Sequence, residues 1–197
     1  MPPPRFSLGE LREKDVNFCY GSCDGMLWPV LDSIFHLALR YDNSLEAVNQ
    51  RQAFLRREKI GICDIVDSCK RDKIDASDFG MKDICLRNIL AQIALHSTLH
   101  TLIFTGGNSK NGPEYLFRRQ LKSHGLRLCC MRDKTPRIHR LSYNNREIMT
   151  ISLTSPSNTA NRAIGSSELY KLRKRANPAF SPIDFRIEQY KEVFLAK

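Results

Sequence analysis

The chain has 197 residues, 42% of them hydrophobic and 26% charged, with 31 Lys and Arg against 21 Asp and Glu for a formal charge of +10. That length fits one domain, or one domain with a tail, and is enough to bury a core without metal or disulfide staples. No apolar run approaches the roughly 20 residues of a membrane span, and no apolar leader follows Met1-Pro2-Pro3-Pro4-Arg5, so an intracellular location is expected, cytoplasmic or, in a nucleated cell, nuclear.

A basic excess of this size suits a polyanionic partner, nucleic acid before an anionic membrane; a solvated basic surface is the alternative. It is concentrated in Arg118, Arg119, Lys122, Arg127, Arg132, Lys134, Arg137, Arg140 and Arg146, and again in Lys171-Leu172-Arg173-Lys174-Arg175. The seven cysteines are Cys19, Cys23, Cys63, Cys69, Cys85, Cys129 and Cys130. They are odd in number and are expected to be reduced thiols. Cys19 and Cys23 have no second pair at a matching distance, so no metal site is expected.

In chain order, Arg5–Gly9 reads as a short strand. Leu27, Val30, Leu31, Ile34, Phe35 and Ala38 recur at helical spacing and predict a helix from Leu27 to Arg40. Ser44 is an N-cap for a second helix reaching Glu58. Ile60–Val66 reads as a buried strand and Met81–Ser97, with Ile84, Leu86, Ile89, Leu90 and Ile93, as a helix. Thr101–Thr105 is a strand stopping at Gly106-Gly107, and Pro113–His124 is helical. Leu126–Met131 and Ile148–Leu153 are strands separated by a basic, polar stretch. Thr159–Lys174 is a helix; Asn177-Pro178 and Ser181-Pro182 break the chain before a last amphipathic helix, Asp184–Leu195. Strands alternating with helices predict an α/β fold, a mostly parallel sheet of four to five strands covered by helices on both faces in three layers. Ligands bind such sheets at the carboxyl ends of the strands, which draws attention to Gly9–Arg12, Asp64–Lys70, Thr105–Ser109 and Thr154–Asn158.

Four segments carry candidate chemistry. In Phe18-Cys19-Tyr20-Gly21-Ser22-Cys23-Asp24-Gly25-Met26-Leu27-Trp28 an aromatic and small-residue loop leads into a helix; Tyr20 either stacks on an unpaired base or is core, and Trp28 reads as core. Asp64, within the apolar Gly61–Val66 run, is either hydrogen-bonded structurally or lines a site, and Lys70 and Arg71 follow where a phosphate could dock. Gly106-Gly107 permits close backbone approach to a ligand or is a plain tight turn, and it is not a P-loop. Thr154-Ser155-Pro156-Ser157-Asn158, before a helix, suits a phosphate or supplies an ordinary N-cap.

Together, Tyr20–Trp28, Gly61–Arg71, Leu102–Gly107 and Thr154–Asn158 resemble, in order and spacing over residues 5–165, the motifs of the uracil-DNA glycosylase superfamily, in its mismatch-specific uracil-DNA and hypoxanthine-DNA branch. The resemblance implies hydrolysis of the N-glycosidic bond of a deaminated base in DNA, a flipped base, no cofactor and no metal, in a monomer binding DNA and no membrane. It implies a glycosylase-like domain over residues 1–176 and a helical extension over 177–197. The family's first motif carries an Asn that positions water; the corresponding Ser7–Arg12 lacks it, and Asp24-Gly25 stands where relatives place another. The catalytic candidates are therefore the carboxylates Glu10, Asp24 and Asp64. Gly9, Tyr20, Gly21 and Ser22 are assigned to the base, and Lys70, Arg71, Thr154, Ser155, Ser157 and Asn158 to the DNA backbone. Two alternatives stand beside this reading: a DNA-binding member without catalysis, and an unrelated α/β module, which no G-x-S-x-G, Walker or Rossmann string supports.

Overall fold

The computed structural model describes residues 9–72 and 78–196. Residues 5–8 of the first expected strand lie outside them, and Gly9 itself is in a turn. The described chain is mixed α/β and divides into two compact units: residues 64–155, and the N-terminal segment through residue 63 together with everything from residue 156 onward. The last helix shares a unit with the first ones.

In the second of these units, helix α1 (Leu27–Phe35) buries Leu27, Trp28, Val30, Leu31 and Ile34. It stops five residues before the expected end because His36 and Ala38 both adopt left-handed backbone, φ 53° and 51°, which a right-handed helix cannot continue through. Helix α2 (Leu45–Arg57) starts where the sequence predicts, with Ser44 Oγ accepting from Ala47 N–H. The rings of Trp28, Phe35 and Phe54 meet edge-on. The buried Arg51 guanidinium lies 5.2 Å from the Trp28 ring centre and 5.1 Å from that of Tyr41, donating to the carbonyls of Arg40 and Ala47.

The unit is completed by the C-terminal helices. The single helix expected over Thr159–Lys174 is two in the structure, separated at the extended Ser167, which begins the second. The final helix starts at Pro182, not Asp184, because Ser181 and Asp184 form a reciprocal capping box and proline is tolerated in the first turn.

The other unit opens with the antiparallel pair β1 (Val66–Arg71) and β2 (Met81–Leu86). Two expectations are corrected here. Residues 61–64 form no strand, so Asp64 precedes the sheet rather than sitting within it. Met81–Ser97 is not one helix: its first part is β2, and α3 (Ile89–Leu95) begins only after Asn88, whose side chain accepts from Ala91 N–H. The apolar spacing of Ile84, Leu86, Ile89 and Leu90 fits a helix, yet residues 81–86 pair with β1 instead, Met81 opposite Arg71 and Leu86 opposite Val66.

The main sheet is four-stranded, in the order β3 (Thr101–Phe104), β6 (Arg146–Ser152), β5 (Arg137–Tyr143), β4 (Cys129–Arg132). Only β3 and β6 run parallel; β5 is antiparallel to both β6 and β4. The expectation of a mostly parallel sheet is thus corrected. The reason lies in the stretch read as basic linker. It contains β5, which returns as β6 through Asn144-Asn145, both with positive φ, a two-residue turn that can join only antiparallel strands. Helices α3 and α4 (Pro113–Ser123) pack Ile89, Leu90, Ile93, Phe117 and Leu121 onto Phe104, Leu141 and Ile148 of one face. Arg146 ties the end of β6 to α3 by donating to the carbonyls of Ile93, His96 and Leu99.

Phe117 has no exposed surface. Phe117→Ala should therefore cost about 3–5 kcal/mol in urea denaturation, the scale of an aromatic core deletion, whereas Ser181→Ala should cost about 1 kcal/mol, the scale of a lost cap.

Candidate nucleic-acid site

The first candidate loop is organised around an aspartate that the sequence reading passed over. Asp15 is fully buried. Its carboxylate accepts from Arg12 N–H at 2.9 Å, from Cys23 N–H at 2.8 Å and from the Arg12 guanidinium at 3.3–3.4 Å. One side chain thus clasps both ends of the segment 12–23. Inside the clasp the chain reverses: Val16 N–H donates to the Gly21 carbonyl and Gly21 N–H to that of Phe18. Only glycine fits at 21, since a Cβ there would lie 1.9 Å from the Val16 oxygen. Tyr20, just before it, is held at φ 57°, a left-handed conformation that costs a bulky residue on the order of 1–3 kcal/mol and persists only where its surroundings dictate it.

Arg12 extends from the clasp to the surface. Its Nη2 donates to Ser22 Oγ at 3.3 Å and to Asp24 Oδ2 at 2.7 Å. Asp24 is exposed, and its backbone is met from the far end of the sequence: the Asn158 side-chain amide donates to the Asp24 carbonyl at 3.5 Å, and Met26 N–H donates to the Pro156 carbonyl at 2.9 Å. The second loop is held from beneath by the buried Arg186, whose Nη2 donates to the Ser157 carbonyl at 2.7 Å. Ser157 is an N-cap here, its hydroxyl accepting from Thr159 N–H. Trp28 is core as read, with its indole N–H donating to the Cys19 carbonyl.

Of the residues singled out from the sequence, Gly9, Glu10, Tyr20, Gly21, Ser22, Asp24, Ser157 and Asn158 belong to this unit. Tyr20–Asp24 and Ser157–Asn158 are joined as just described, and Glu10 is exposed at the loop's start. Asp64, Lys70, Arg71, Thr154 and Ser155 belong to the other unit; Lys70 is paired with Asp83 at 2.9 Å and Arg71 ends β1. Arg12, Asp15 and Arg186 were missed. Arg12 and Asp15 sit in Arg12-Glu13-Lys14-Asp15, which reads as a solvated charge run, and Arg186 falls among the polar residues of an amphipathic helix.

The basic cluster of residues 118–146 is largely committed to the fold. Arg118 and Arg137 pair with Glu114, Arg140 with Glu147, Arg132 Nε donates to the Pro136 carbonyl, and Arg146 is the tie to α3. Arg119, Lys122, Arg127 and Lys134 are exposed cations of the same unit. Among the described residues no helix is long and apolar enough to cross a membrane, and no group of three His, Cys, Asp or Glu side chains could hold a metal ion. No protein-family model, curated protein or solved structure matches the chain.

Burial alone would push the Asp15 carboxyl up. The N–H groups of Cys23 and Arg12 and the Arg12 guanidinium outweigh it and hold the carboxyl well below the usual carboxylate range. The charged form is thus favoured by folding, so its stabilisation is complete above the ordinary aspartate value of about 3.9 and is lost progressively as pH falls below it. Asp15→Asn should destabilise the protein by on the order of 2 kcal/mol at pH 7 and by much less at pH 2.5, as read by denaturation at the two pH values.

Proposed function

We propose that the chain binds DNA and inspects, and excises, a deaminated base at the Tyr20–Asp24 and Ser157–Asn158 loops, as a protein of the uracil-DNA glycosylase type. The observation that carries the reading is the meeting of the two loops. The segment assigned to the base and the segment assigned to the DNA backbone lie more than 130 residues apart in sequence, yet they are joined by the Asn158–Asp24 and Met26–Pro156 hydrogen bonds.

Chemically, the leaving base departs as an anion and the sugar becomes cation-like, so the protein needs a pocket, donors for the base and a negative charge near the sugar. Tyr20 supplies a ring beside a rigid turn. Asp24 supplies an exposed carboxylate whose position is set by Arg12 and, through its own carbonyl, by Asn158. Ser157 and Asn158 provide short polar groups for a phosphate. No cofactor enters this chemistry. A second reading, DNA binding without excision, is favoured by one contact: Asp24 Oδ2 is already engaged by Arg12 at 2.7 Å.

End-labelled oligonucleotides carrying uracil or hypoxanthine, paired and unpaired, treated with alkali after incubation, separate the two. Excision should yield alkali-sensitive sites. Asp24→Asn should then slow it about 10²-fold, the scale of one positioned electrostatic group, and Glu10→Gln should not. Tyr20→Ala should weaken it by about 1–3 kcal/mol. Tight binding with intact strands establishes the second reading, and absence of both rejects the two together.

Binding itself should be salt-dependent. If the four exposed cations Arg119, Lys122, Arg127 and Lys134 each neutralise a phosphate, affinity should fall roughly 10²-fold between about 50 and 200 mM salt. A titration at several salt concentrations measures this, and an affinity indifferent to salt would contradict it.

A further inference from the structure

A second concentration of polar side chains lies in the sheet unit, away from the residues used above. Glu114, in the first turn of α4, has no exposed surface. Its carboxylate accepts from Ser152 Oγ at 2.7 Å and from Arg118 Nε at 2.8 Å, and Arg137 Nη2 lies 3.3 Å away. Two guanidiniums therefore share one buried carboxylate. The other acid nearby, Asp133, is 87% exposed and stands 3.7 Å from Arg137 Nε, beyond hydrogen-bond reach. The arginine side chains themselves are partly open, 31% for Arg118 and 23% for Arg137.

His139 fixes the second edge of Arg118, with Nε2 at 2.8 Å from Nη2. A guanidinium only donates, so Nε2 is the acceptor and Nδ1 carries the proton. The ring is therefore neutral and cancels none of the positive charge. Burial and the Arg118 charge act in the same direction, holding the imidazole below its ordinary value. Three buried polar atoms on alternate rungs of the β5–β6 ladder, Arg137 with Ser152 and His139 with Thr150, have no hydrogen-bond partner among the described residues: Arg137 Nε, His139 Nδ1 and Thr150 Oγ1. Native structures rarely leave such groups unpaired, and where they do, an absent ligand or water is among the first explanations.

The place matches. Phe104 and Ser152 form the last rung of β3 and β6, the parallel pair of this sheet, and the chain runs from β3 through Gly106-Gly107 into α4. The carboxyl end of parallel strands, facing the start of the following helix, is where α/β sheets bind ligands. We propose that Arg118 and Arg137, preset by Glu114, form a clamp for a phosphate group, with His139 as a positioning residue. A planar carboxylate is satisfied by one guanidinium fork. A tetrahedral phosphate offers oxygens to the donors that two guanidiniums in different planes keep beyond Glu114 and His139, and one of its charges is met by the local excess of one positive charge, two arginines against one carboxylate. The phosphate could belong to a nucleic-acid strand or to a small phosphate compound. The site does not rest on base excision at the loops.

Titration calorimetry of the full chain with inorganic phosphate, at constant ionic strength, tests the clamp directly. Saturable binding of one phosphate is expected, weakened at least tenfold in Arg118→Gln and Arg137→Gln. Because both arginines also hold Glu114, Arg137→Lys serves as the fold-preserving variant. It keeps the charge against Glu114 but loses the fork, and should still weaken binding about tenfold. On adding phosphate, the Nε–H resonances of Arg118 and Arg137 should shift in the wild-type protein. No saturable binding by the wild type, or undiminished binding by Arg137→Lys, overturns the proposal. Competing oligonucleotides identify the source: better displacement by a 5′-phosphorylated strand than by its 5′-hydroxyl counterpart assigns the clamp to a strand end, equal displacement assigns it to the backbone, and no displacement assigns it to a small phosphate compound.

Discussion

A carboxylate cut off from water must be surrounded by donors, and the chain meets that condition at Asp15 and at Glu114, both without exposed surface. An uncompensated buried charge costs several kcal/mol, so the local backbone has little freedom once the acid is inside. Asp15 gathers two N–H groups and a guanidinium, and in doing so shapes the loop that carries Tyr20 and Asp24. Glu114 gathers a serine and two arginines, and in doing so fastens α4 to the β5–β6 ladder. In each case an arginine satisfies the buried acid with one edge and has donors left over. Those surplus donors reach Asp24 in one unit and His139 in the other. A structural requirement thereby delivers a rigid, charged edge to a place where a ligand can use it.

The same constraint explains what could be read from the sequence. Helices α1, α2 and α4 and strand β3 were legible because their signals are local: apolar periodicity, a serine cap, a proline at the start. Strand β2 was not, since Ile84 and Leu86 continue into Ile89, Leu90 and Ile93 at a spacing a helix also satisfies, and only pairing with β1 decides. Strand β5 hid in a basic stretch because its inward positions include Arg137 and His139, which are polar for the sake of Glu114 rather than solvent. In the loop cluster, Tyr20–Asp24 and Ser157–Asn158 stood out by composition. Arg12, Asp15 and Arg186, which hold them, did not, because a charged residue satisfied inside the fold looks the same in sequence as one facing water.

Charge has to be read in the same light. A net +10 was the strongest compositional feature, yet Arg132, Arg140 and Arg146 spend donors on carbonyls and an acid of the fold, and Arg118 and Arg137 spend part of theirs on Glu114 and His139. Two electrostatic effects then separate. Long-range attraction of a polyanion follows the summed charge and is screened over a Debye length of about 8 Å at physiological salt. Contact with phosphates follows the side chains left uncommitted, which are far fewer. On the proposed reading, a strand drawn in by the whole field but gripped at few points is held weakly, and discrimination comes from groups with fixed positions. Those are the residues fastened by the buried acids: Asp24 beside its arginine, Tyr20 on its tight turn, and the guanidinium forks of Arg118 and Arg137.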